Sequence, residues 1–120
     1  MRENLPLTEA RFLTDGVHEI DVTWVAQTQQ PCRLVDIREA SELAGPEGYL
    51  PHAEHVPLAT LGTAAEQWDP QEPIAILCRS GARSAYAAAL LERAGFAAVA
   101  SVQGGILAWR AQGHPISFQR

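Results

Sequence analysis

Two cysteines supply the sulfur chemistry open to this chain, and only Cys78 has neighbours that would activate it. It closes an apolar run, Pro73-Ile74-Ala75-Ile76-Leu77, and opens the stretch Cys78-Arg79-Ser80-Gly81-Ala82-Arg83-Ser84. The attacking species of a cysteine is the thiolate, so the chemistry depends on what stabilises negative charge on sulfur. Three features of the stretch would do so. Arg79 and Arg83 bring positive charge, Gly81 lets the backbone curl so that N–H groups point inward, and a helix start presents free N–H groups. Alone, a cysteine after a buried strand is ordinarily a small packing residue. The glycine, the two arginines and the helix start together argue instead for a nucleophile.

The remaining candidates have plainer readings. Cys32 stands at a strand start with Arg33 as its one basic neighbour, which fits packing better than a resolving thiol. Neither cysteine belongs to a CxxC pair, so neither a disulfide framework nor a paired-thiol redox site is expected. His52 and His55 have HxxH spacing, but no carboxylate or cysteine cluster completes a ligand set and Pro51 interrupts a helix there. No metal and no organic cofactor is expected. Asp36 and Arg38 read as a pair tying loops together, His18 and His114 as surface residues, and Trp24, Trp68 and Trp109 as core or core edge.

The elements that must hold Cys78 alternate between strand and helix. Strands are expected over 17–20, 32–37, 54–57, 73–77 and 98–102. Between them, Asp21 can cap a helix through Trp24 and Val25, and helices follow over 39–43, 58–68 and 84–94. The 84–94 segment is rich in alanine and leucine, with Tyr86, Leu90 and Ala94 in an i, i+4 row, and Gly95 ends it. Gly104-Gly105 opens a last helix to Gln112, stopped by Gly113 and Pro115. Such alternation implies an α/β domain: a central, mostly parallel five-stranded sheet with helices on both faces. Apolar residues at every position of 73–77 mark the central strand. In such sheets ligands bind beyond the carboxyl ends of the strands, where Cys78 stands. Residues 1–16 read as an N-terminal extension with a short helical stretch around 7–13, and 17–120 as one domain.

The whole-chain properties limit the partners. A chain of 120 residues with 47% apolar content can build one core without disulfide staples. Its net charge of −5 argues against a general nucleic-acid or membrane surface, so an anionic substrate needs a local positive patch. No apolar run spans a bilayer, and Met1-Arg2-Glu3-Asn4-Leu5-Pro6 lacks the core of a secretory signal, which suggests a cytoplasmic location.

Three segments in register resemble the single-domain rhodaneses. Cys78-Arg79-Ser80-Gly81-Ala82-Arg83-Ser84 is similar to that family's active-site loop. Leu34-Val35-Asp36-Ile37-Arg38-Glu39, followed by Glu42, is similar to its Asp-x-Arg segment, and Gly104-Gly105-Ile106, Ala108-Trp109 and Gly113-x-Pro115 to its closing segment. The resemblance runs from about 17 to 116. One stretch departs: Gly48-Tyr49-Leu50-Pro51-His52-Ala53 puts His52 where the family has a small residue.

The resemblance implies a sulfurtransferase with Cys78 as nucleophile and residues Arg79, Ser80, Gly81, Ala82, Arg83 and Ser84 as the substrate cradle. The Cys78 thiolate would take the outer sulfur of a small anionic donor such as thiosulfate, or of a persulfide. It would then pass that sulfur to a thiol, cyanide or a protein acceptor. Arg79 is expected to orient the donor's anionic end, and Arg83 to assist it or to brace the loop against acidic neighbours. Two rival readings are a relay or binding subunit serving a partner protein and a cysteine phosphatase or arsenate reductase. The second is disfavoured by spacing: phosphatases carry C-x5-R, whereas Cys78 and Arg83 give C-x4-R, a smaller cradle.

Overall fold

A computed structural model of the chain describes residues 11–12, 18–27 and 32–119. Its strands are β1 (Arg11–Phe12), β2 (His18–Ile20), β3 (Arg33–Asp36), β4 (Glu54–His55), β5 (Ile74–Leu77) and β6 (Val99–Val102). Its helices are α1 (Val22–Gln27), α2 (Ala40–Leu43), α3 (Leu58–Ala65), α4 (Ala82–Arg93) and α5 (Gly105–Ala111). The strands form one sheet in the order β1-β2-β6-β5-β3-β4. The five strands from β2 to β4 run parallel, as expected, and β1 adds an antiparallel edge. Arg11 and Phe12 pair with Glu19 and His18, so at these two positions a strand replaces the expected helix. The edge of β2 offers unpaired backbone groups, and pairing them outweighs a weak local helical preference. The rest of the 7–13 stretch lies outside the described residues.

Alternation along β5 divides the core. Ile74, Ile76 and Cys78 face one side with Leu61 and Ala65 of α3 and Ala87, Ala88 and Leu91 of α4. Ala75 and Leu77 face the other with Val22 of α1 and Ile106 and Trp109 of α5. Helices on both faces bury β5 completely.

Helix α4 corrects the sequence reading at its start. It begins at Ala82 rather than Ser84, with Gly81 as N-cap at φ 108°. Its buried stripe is Ser84, Ala87, Ala88 and Leu91. The Tyr86–Leu90–Ala94 row faces outward, with Tyr86 57% exposed. Packing chooses the small side chains because two alanines let the helix axis approach the sheet closely. The earlier start matters more: it puts Ser84 in the first turn, where backbone N–H groups have no helical partner.

Candidate active site

Cys78 stands one residue beyond β5, between the strand's carboxyl end and the first turn of α4. Its sulfur is recessed, with the residue only 1% exposed. Two backbone N–H groups donate to Sγ, from Gly81 at 3.1 Å and Ser84 at 3.3 Å. The Ser84 Oγ lies 3.4 Å from the same sulfur. The left-handed backbone at Gly81 makes this geometry possible, because it swings the chain from strand into helix within three residues. The sulfur thus occupies the place of an N-cap acceptor at the positive end of a 12-residue helix.

The loop's carbonyl groups are held from behind. The N–H groups of Ile106 and Leu107, in the first turn of α5, donate to the carbonyls of Cys78 (2.9 Å) and Arg79 (3.1 Å). Gly104 and Gly105 both have positive φ, and a β-carbon on Gly105 would run into those same two carbonyls. The two helix starts therefore act on opposite sides of one loop: α5 takes its oxygens, and α4 turns its N–H groups to the sulfur.

Ser101 was not singled out by the sequence reading. It lies in β6, paired with Ile76, and is 1% exposed. Its hydroxyl is 2.7 Å from the Ser84 hydroxyl, which also donates to the Gly81 carbonyl at 3.1 Å. The signal was a hydroxyl inside the apolar run Ala98-Val99-Ala100-Ser101-Val102, where a buried polar group must find a partner.

The structure turns both arginines toward carboxylates. Arg83 makes a two-point contact with Glu42, Nη1 to Oε1 at 2.7 Å and Nη2 to Oε2 at 2.8 Å. Hydrogen bonding from Arg83 is the main reason the Glu42 carboxyl is lowered to about 2, so the pair stays charged through neutral and moderately acidic pH. The same contact holds the Arg83 guanidinium above its ordinary value. Arg79 donates through Nε to both oxygens of Glu47 at 3.0 Å, and Nη2 lies 2.9 Å from Oε2. Of the two roles expected of Arg83, bracing against an acidic neighbour is the one this geometry performs. Glu47 had no periodicity to mark it. Ser80 and Ala82 sit exposed on the outer wall of the loop.

Asp36 and Arg38 tie the surroundings together. Both are buried, and Arg38 Nη2 bridges the Asp36 carboxylate (2.8 Å) and the carbonyl of Gly48 (2.9 Å). Removing either partner would leave a buried charge, at a cost of about 3–5 kcal/mol. His55 Nε2 lies 2.7 Å from the Arg38 carbonyl, so the HxxH spacing serves this tie, while His52 is exposed. Among the described residues no three His, Cys, Asp or Glu side chains gather as a metal site, and no helix is long and apolar enough to cross a membrane.

Known proteins are similar to this chain in sequence and fold. A family model for the rhodanese-like domain matches residues 21–112. A sulfurtransferase of Allochromatium vinosum is 36% identical over 103 residues, covering 83% of this chain and 94% of that protein. YtwF of Bacillus subtilis strain 168, whose name also carries the word sulfurtransferase, is 35% identical over 82 residues, covering 68% of this chain and 77% of its own length. The crystal structure of a rhodanese-related protein from Thermoplasma volcanium matches with a TM-score of 0.74 at 25% identity, over 84% of this chain and 98% of that one.

Proposed function

The chain belongs to the rhodanese-like domain family, and from that premise we propose that it is a sulfurtransferase working through a persulfide on Cys78. The Cys78 thiolate attacks the outer sulfur of thiosulfate or of a persulfide. The new Sγ–S bond forms as the donor's S–S bond breaks, and the electron pair leaves with sulfite or with the donor thiolate. In the second half-reaction a thiol or cyanide attacks the outer sulfur, and Cys78 departs as thiolate. The sulfane sulfur changes carriers without net oxidation.

The observation that carries this reading is the sulfur itself, recessed at the start of α4 under two backbone N–H groups. A sulfur so recessed suits a donor with a protruding single atom better than a tetrahedral ester. The N–H groups of Gly81 and Ser84 already point at Sγ, so negative charge on the sulfur meets donors that need little reorganisation. Ser84 adds a hydroxyl that can turn its proton from the Gly81 carbonyl to the sulfur. Phosphoryl chemistry would need Arg83 to grip substrate oxygens, whereas both its terminal nitrogens serve Glu42.

Mass spectrometry after incubation with thiosulfate, and separately with a small-thiol persulfide, tests the reading. The wild-type protein is expected to gain one sulfur atom from at least one donor, on Cys78, and to lose it to added thiol. Cys78→Ser is expected to gain none. No gain in the wild type, or an equal gain in the variant, would overturn the reading. Rapid discharge to small thiols marks a free enzyme, and discharge only to a protein thiol marks a relay.

A further inference from the structure

Both cations beside the sulfur are matched one to one by carboxylates, and the two pairs differ in what holds them. Arg83 and Glu42 join the first turn of α4 to α2, within the frame of the site. Arg79 and Glu47 join two loops at its rim, where Arg79 is 50% exposed and Glu47 23% exposed. An exposed ion pair is ordinarily weak because two long side chains must be ordered to make it. Here the Glu47 backbone is already fixed. On one side the Pro46 carbonyl accepts from Arg110 at 2.9 Å. On the other the Gly48 carbonyl accepts from buried Arg38 at 2.9 Å. Tyr49 pairs with Ser117 just beyond, and Gly48 at φ 74° packs so tightly on Ser117 and Ile116 that no side chain fits.

We infer that Glu47 is a specificity-determining residue that sets the charge of the acceptable sulfur donor, disfavouring dianions such as thiosulfate and favouring persulfides of low charge. The inference rests on the sulfurtransferase reading of Cys78. Glu47 acts on an incoming dianion through Arg79: it occupies the Nε and Nη2 donors that would otherwise bind donor oxygens, and its charge cancels the pull of the guanidinium. A persulfide carrying at most one negative charge needs no oxyanion site beyond the sulfur itself. It meets the backbone N–H groups at the sulfur. The step is the same for both donors: the Sγ–S bond forms, the donor's S–S bond breaks, and sulfite or a thiolate leaves with the electron pair.

The test compares kcat/KM for thiosulfate with that for the persulfide of 2-mercaptoethanol, in wild type and in Glu47→Gln. The thiosulfate-to-persulfide ratio is expected to rise about fivefold, the upper end of what an exposed charge pair contributes, and mainly through a lower KM for thiosulfate. Salt should now slow the thiosulfate reaction, as expected of an attracted anion. The gain should vanish in Glu47→Gln combined with Arg79→Gln, because the freed guanidinium is its source. An unchanged ratio in Glu47→Gln, or a gain that survives the double substitution, would overturn the inference. Failure of both donors to load Cys78 is a different outcome, which strikes the sulfurtransferase reading itself.

Discussion

Cys78 and Cys32 stand at opposite ends of two neighbouring strands. Strands β3 and β5 pair in parallel from Arg33 with Ile74 to Asp36 with Leu77. Cys32 precedes the first and Cys78 follows the second, so one sulfur lies at the amino edge of the sheet and the other at the carboxyl edge. At the carboxyl edge the chain turns into α4, whose free N–H groups point back at the sulfur. At the amino edge no helix start among the described residues donates to Cys32, whose thiol points to the Arg33 carbonyl at 3.7 Å. Burial dominates there and raises Cys32 to about 11, with a backbone contact at Ala75 opposing it and Glu72 adding to it. Yet Cys32 is half-buried while Cys78 is nearly inaccessible. Under the proposed function, reactivity follows the direction of the strands and not exposure.

The widest expected separation is chemical. With a thiol raised to about 11, Cys32 is ionised to about one part in a thousand at pH 8, against about a tenth for a thiol at its ordinary 9.0. In the Cys78→Ser protein, alkylation of folded Cys32 by iodoacetamide at pH 8 should therefore run about a hundredfold slower than after unfolding in urea. Its rate should climb about tenfold per pH unit until pH approaches 11. The neutral thiol favours the folded state fully below pH 9, and that contribution is lost as pH rises through 11. A labelling curve that levels off near pH 9 would remove the contrast between the two sulfurs.

The second way to break the comparison is to disturb the scaffold behind the loop. Gly105→Ala adds a β-carbon 2.6 Å from the Arg79 carbonyl oxygen, at φ 59°. The loop must move to relieve the contact, and a displacement of about 1 Å at a reacting group costs on the order of a hundredfold in rate. Gly113→Ala is the control: its φ is 78°, but nothing lies within 4 Å of the added carbon. Both variants carry backbone strain, and only Gly105→Ala presses on the sulfur's loop. Sulfur loading should fall about a hundredfold in Gly105→Ala and less than twofold in Gly113→Ala. Equal losses would mean that α5 does not hold the loop.

What was legible in the sequence follows the range of the forces involved. Apolar runs bounded by turn residues marked β5 and β6, and Cys78 with Gly81 marked the strand-to-helix turn, because these signals are local. The rest depended on contacts between segments. Ser101 meets Ser84 across 17 residues and Glu47 meets Arg79 across 32, and neither spacing leaves a periodic trace. The i, i+4 row of larger side chains in α4 marked a helix but not its inward face. Close approach to the sheet favoured the alanines instead. The edge strand at Arg11 and Phe12 was equally hidden, since its reason for forming lies in β2.

The smallest expected effect concerns the buried hydroxyl beneath the nucleophile. The single proton of Ser84 can go to the Gly81 carbonyl or to the Cys78 sulfur. A proton from Ser101, 2.7 Å away, polarises the Ser84 hydroxyl and makes it a better donor to a thiolate. Ser101→Ala removes that polarisation but leaves Ser84 able to satisfy its own hydrogen bond, so the fold should lose no more than about 1 kcal/mol. Sulfur loading at neutral pH should fall about threefold. Ser84→Ala should lower it further. Adding Ser101→Ala to that variant should then change nothing more, because Ser101 acts on the sulfur only through Ser84. If Ser101→Ala costs as much in the Ser84→Ala background as in the wild type, the hydroxyl only fills space. The advantage of Cys78 over Cys32 would then rest on the helix start alone.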